Sequence, residues 1–86
     1  MSNPAAAFQA TAEAARVGAG IIAARHRGDV ASADTLLDGL SDREKAAGFL
    51  FLADLALALI AAGEDRPVDQ VAADLSLHIA THITGT

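Results

Sequence analysis

The chain has 86 residues, 52% of them hydrophobic and 20% charged, with a formal net charge of −5, three phenylalanines as its aromatic residues and no cysteine. That length makes one small domain, because domains typically run to about 100 to 200 residues. The absence of cysteine excludes disulfides, thiolate nucleophiles and Cys-based zinc or iron centres, and 11 acids against 6 bases leave no basic patch to neutralise nucleic-acid phosphates.

Alanine and leucine dominate the apolar residues and are helix-forming material, since neither side chain loses much freedom in a helix. The expected fold is all-α, a four-helix antiparallel array or bundle in the order long, short, long, medium, forming a single domain over 1–86. Asn3-Pro4 is a start signal, an N-cap side chain followed by a residue whose missing N–H costs nothing at the first helical position. The first helix is expected over 4–27, closed by Gly28 after the basic turn of Arg25, His26 and Arg27. It is apolar on two sides: Phe8, Ala12, Ala15, Ala19 and Ile22 share one face, while Ala14, Val17, Ile21 and Ala24 share nearly the opposite one.

Asp29 caps a second helix expected over 30–40, with Val30, Ala33, Leu36, Leu37 and Leu40 on one face at spacings of three and four. Ser41-Asp42-Arg43-Glu44 has the pattern of a capping box and opens a third helix over 42–62, ended by Gly63. From Ala46 onward that helix is apolar around its circumference apart from Asp54, so it is expected to be covered on nearly every side. Asp54 is then a buried charge in need of a partner, with Arg16, Arg43 or a histidine available; structural pairing is the plain expectation and a pH-sensitive carboxylate the alternative. A fourth helix is expected over 67–83, with Val68, Val71, Ala72, Leu75, Ile79 and Ile83 as its buried stripe. Val30, Ala33 and Leu37 recur as Val68, Val71 and Leu75, each set after a long helix, which is a faint internal echo of one helical hairpin in the next.

Ala46 to Ala62 is also long enough to raise a membrane span, which needs about 20 apolar residues within a range of roughly 17 to 25. Asp54 at its middle argues against insertion, where a carboxylate costs roughly 2.5 to 3.5 kcal/mol. The stretch Met1 to Ala15 has neither the positive charge nor the apolar run of a secretory signal, so a cytoplasmic setting is expected.

Four helices of this composition in so short a chain leave apolar surface open, because a small domain buries only about 60% of the surface its unfolded chain exposes. A second copy is the expected cover, since two-fold homodimers are the commonest oligomers. Candidate interface residues are Phe8, Ala15, Val17, Gly18, Ile21 and Ile22 on the first helix. Phe49, Phe51, Leu55 and Leu59 on the third and Leu77 on the fourth complete the set. For Gly18 an intrachain reading stands beside this one, as a small residue admitting the third helix.

Asp74, His78 and His82 stand four residues apart on one helix face, with the side-chain types zinc accepts, and they are the candidate metal ligands. No fourth ligand is identifiable, and the plain reading is a pair of boundary histidines bonded to backbone or to Asp54. No phosphate loop, nucleophile elbow or paired-carboxylate motif is present, so neither an enzyme nor a cofactor is expected.

From Arg27-Gly28-Asp29-Val30 through Ala33 to Leu36-Leu37 and Leu40, the chain resembles the G-D-x-x-x-A-x-x-L-L turn of tetratricopeptide-like helical repeats. The resemblance covers about one hairpin and lacks that repeat's aromatic positions. As a whole, rich in Ala and preferring Arg to Lys, the chain resembles small uncharacterised all-helical proteins of actinobacteria and their phages. That resemblance implies an accessory protein acting by binding another protein and brings no catalytic residues. The expected function is a protein–protein interaction module that binds itself or a host protein. The alternatives are a small membrane-associated protein using 46–62 as a span, and a His-based metal or ligand binder.

Overall fold

In the computed structural model, which describes residues 4–84, the chain is all-α, with helices α1 (Pro4–His26), α2 (Val30–Asp38), α3 (Asp42–Glu64) and α4 (Val68–Thr84). The expected N-cap Asn3 lies outside the described residues, as do Gly85 and the side chain of Ile83. The single domain expected over 1–86 divides by its contacts into two compact units, Met1–Ala53 and Asp54–Thr86, with α3 contributing to each.

Local chemistry sets the helix ends. The Asp29 side chain accepts from the Ser32 N–H at 3.1 Å, satisfying one of the donors that the first turn of α2 leaves unpaired. Ser41 and Glu44 form the capping box reciprocally: the Ser41 N–H donates to Glu44 Oε1 at 2.8 Å, and the Glu44 N–H to Ser41 Oγ at 3.1 Å. These bonds hold both carboxyls below the ordinary carboxylate range. For Asp29 the Ser32 side chain contributes most and its N–H next; for Glu44 the Ser41 N–H leads, then the Ser41 hydroxyl.

α1 and α3 end in the same closure. After α1, the Asp29 N–H reaches the Ala24 carbonyl at 2.9 Å and the Gly28 N–H the Arg25 carbonyl at 3.0 Å, with Gly28 at φ +80. After α3, the Arg66 N–H reaches the Ala61 carbonyl at 3.0 Å and the Asp65 N–H the Ala62 carbonyl at 3.4 Å, with Asp65 at φ +53. Both are Schellman motifs, in which a left-handed residue turns the chain back so that late carbonyls find donors. The expectation that Gly63 ends α3 is therefore corrected. Gly63 is helical, and an aspartate takes the left-handed position, which short polar side chains tolerate better than most.

In the first unit, Ile21 and Ala24 of α1 and Ala33 of α2 are buried together, with Val17, Leu37, Leu40 and Phe49 packed around them. α3 meets α1 backbone to backbone: a Cβ at position 48 would lie 2.8 Å from the carbonyl carbon and the Cβ of Ala14, so only glycine fits there. Next to this crossing the Phe49 ring covers Gly18, and Phe51 meets Phe8 edge to face at a centroid distance of 5.7 Å. In the second unit, Ala61 and Val71 are buried, and Arg66 ties the turn by pairing with Glu64 at 2.9 Å and with Asp74. Ala33 of α2 and Val71 of α4 are buried, and each of these helices follows a Schellman closure.

Two expectations about burial are corrected. α3 is not covered on nearly every side. Only 11% of its most apolar stretch is buried, and Leu50, Leu55, Leu59 and Ile60 are exposed. A helix apolar all round needs neighbours on every side, and within the first unit the contacts described for α3 run through Ala47, Gly48, Phe49 and Phe51. In the same way the expected stripe of α4 is covered at Val71 and partly at Ala72, while Val68, Leu75 and Ile79 stay open.

Candidate functional site

Among the described residues no polar or charged residue is buried, and large apolar side chains stand open on all four helices. An open groove between α1 and α2 has Ile21, Ala33 and Phe49 in its lining together with Arg25 and Asp34.

The expected interface residues separate into two groups. On α1, Ala15, Gly18 and Ile21 are buried inside the first unit and Val17 is half-buried against its core, which removes them from any surface offered to a partner. The physical reason is the Gly48 crossing: the small residues of α1 admit α3 of the same chain, and Gly18 is taken up by Phe49. Phe8, 61% exposed, and Ile22 remain open on α1, flanking the buried Ala15. On α3, Phe49 and Phe51 are half-buried against α1, whereas Leu55 and Leu59 (67%) are open. Leu77 on α4 is open at 68%.

Leu50 was missed by sequence reasoning. It is 65% exposed, and it follows Arg43 and precedes Asp54 on one side of α3.

Asp54 itself is corrected from buried to exposed. Its expected partners are engaged elsewhere or stand apart: Arg16 pairs with Glu13 at 3.0 Å on the surface of α1, and Arg43 is exposed without an ion pair among the described residues.

The candidate metal ligands share a helix but do not converge as a set. Asp74 is held by Arg66, whose guanidinium is pushed up by Asp74 and then Glu64. His82 Nδ1 lies 3.0 Å from the His78 carbonyl oxygen, and the two rings stack at 3.9 Å with a 36° tilt. Among the described residues no group of three or more His, Asp or Glu side chains is disposed to hold a metal ion. Comparison of the chain with protein-family models finds no matching family, and comparison with curated proteins and with solved structures finds no significant match in either.

Proposed function

We propose that this chain is a protein–protein interaction module that acts by pairing with a second copy of itself. The observation that carries this reading is the open apolar surface of α3 at Leu55 and Leu59, which lie on one side of the helix and remain half to two-thirds exposed. Fully burying one such side chain contributes about 1.5 to 3 kcal/mol. Covering what remains open on Leu55 and Leu59 would contribute roughly 2 to 3.5 kcal/mol toward association. Open apolar side chains also continue onto α4 at Leu75, Leu77 and Ile79. Large exposed apolar surface marks interaction sites, and a second copy is always at hand at the chain's own concentration.

A lipid bilayer is the second reading, favoured by the 23-residue length of α3 and the mean hydropathy of 2.1 over its most apolar 18-residue stretch. Asp54 weighs against it, because an exposed carboxylate midway along the helix would face acyl chains. Acids also stand at both ends of the helix, Asp42 and Glu44 at one and Glu64 at the other. Light scattering after gel filtration in detergent-free buffer tests the proposal. A dimer mass at micromolar concentration is expected; a strict monomer there would overturn self-association, and recovery only in the membrane fraction would favour the bilayer.

A further inference from the structure

The last two turns of α4 carry two imidazoles, His78 and His82, both exposed. Four residues of helix amount to about 40° of net rotation and about 6 Å of rise, so the two side chains stand one above the other. Their rings stack with centroids 3.9 Å apart and a 36° tilt. His82 Nδ1 lies 3.0 Å from the His78 carbonyl oxygen. That oxygen can only accept, so Nδ1 carries the proton and donates, which leaves the lone pair of His82 Nε2 available to a ligand. Metal-binding histidines are oriented in this way: the ring N–H that does not meet the metal is bonded to a carbonyl or carboxylate, and that bond fixes the tautomer and the ring. Asp74, one turn before His78, is taken by Arg66 and adds no donor.

We propose that His78 and His82 form a two-nitrogen chelate for copper(II), with one imidazole donated by each residue. Two donors are too few for zinc, whose sites take three or four protein ligands in a tetrahedron. Copper(II) differs on both counts: it stands at the top of the affinity order of the divalent first-row metals, and it accepts a square or tetragonal set of nitrogen and oxygen donors that water can complete. Two adjacent imidazoles supply neighbouring corners of such a square. His82 lies in the last turn of α4, where the negative end of the helix dipole favours a cation, and the formal net charge of −5 favours one over the whole chain. Because both rings are exposed, the metal reaches them without opening the fold. Both belong to one helix, so the chelate is complete in a single chain and does not depend on self-association. A metal held across one helical turn also acts as a clip, since it binds the helical form in preference to the unfolded one and so stabilises the end of α4.

The test is titration of the full chain with copper(II) sulfate in a buffer that does not bind the metal, followed by pulsed electron paramagnetic resonance and by thermal unfolding. A single copper per chain, coupled to two imidazole nitrogens, is expected, together with a copper-dependent rise in Tm. His78→Ala and His82→Ala should each raise the copper dissociation constant by roughly tenfold or more, as loss of one arm of a chelate does, while His26→Ala on α1 should leave it unchanged. Adding Ser76→His to the His78→Ala chain restores two histidines but sets them six residues and about 9 Å apart along the axis. That chain should bind copper no better than His78→Ala alone. Circular dichroism of each variant without metal separates loss of a ligand from loss of helix. Unchanged affinity in the chain lacking both His78 and His82 would overturn the proposal and assign the metal to His26 or the amino terminus. Coupling to a single imidazole, one copper per two chains, or binding by the relocated pair equal to that of the unaltered chain would overturn it as well.

Discussion

Replacing Gly48 by alanine should destabilise the chain, whereas the same replacement at Gly63, further along the same helix, should stabilise it. At position 48 the new Cβ would lie 2.8 Å from both the carbonyl carbon and the Cβ of Ala14 and 3.0 Å from its oxygen. Non-bonded carbon atoms rest at about 3.5 to 4.0 Å, so α1 and α3 must part by roughly 0.7 to 1.2 Å at their crossing. Overpacking of this kind costs about 1 to 3 kcal/mol, and alanine returns about 1 kcal/mol in helix propensity. The expected net loss is about 1 kcal/mol, and greater where the separation also lifts Phe49 from Gly18. At position 63 nothing lies within 4 Å of the added carbon, so only the propensity gain of about 0.5 to 1 kcal/mol remains. For a domain of this size each kcal/mol moves Tm by about 4 to 8 °C. Thermal unfolding followed by circular dichroism, at one fixed chain concentration because self-association raises apparent stability, should place Gly48→Ala below the unaltered chain and Gly63→Ala above it. Equal or higher stability for Gly48→Ala would show that the backbone crossing at Ala14 does not form in solution.

The two Schellman closures predict opposite responses at their left-handed residues. Gly28→Ala should lose about 1 to 2 kcal/mol, because an L side chain enters a positive-φ position, and Asp65→Gly should gain stability by removing one; equal responses in urea unfolding would refute the assignment. Asp29 and Glu44 are held below the ordinary carboxylate range by their capping bonds, so the unfolded chain takes up protons more readily than the folded one. Their contribution is complete above the unfolded values near pH 4 and fades as pH falls through the folded ones. Helix content should fall on acidification below about pH 4, and Asp29→Asn with Glu44→Gln should flatten that limb; an unaltered acid limb in the double variant counts against it. Zinc should leave Tm unchanged, since Asp74 is engaged by Arg66 and two histidines make an incomplete zinc site; a zinc-dependent rise in Tm would restore the three-ligand reading.

The legible part of this protein was local. Asp29 and the Ser41–Glu44 box could be read as helix starts because each cap involves residues three apart, and the chemistry of that short span is complete in the sequence. Gly28 was legible for the same reason. Gly63 misled because left-handed backbone is open to aspartate as well, and nothing local decides between a glycine and an aspartate two residues later. The interface candidates on α1 were readable as small and apolar, but whether Ala15, Gly18 and Ile21 meet another chain or their own depends on where α3 crosses.

By itself, then, the sequence determined four helices, the caps at Gly28, Asp29 and Ser41–Glu44, and the apolar excess of α3, since these follow from hydrogen bonds and periodicities spanning a few residues. Only the tertiary structure decided which apolar faces are used up: Gly48 rather than Gly18 is the position with no room for a Cβ, α3 keeps most of its apolar surface open, and Asp54 stands exposed. Burial is a property of neighbours distant in sequence, and one helix's periodicity says that a face must be covered without saying by what.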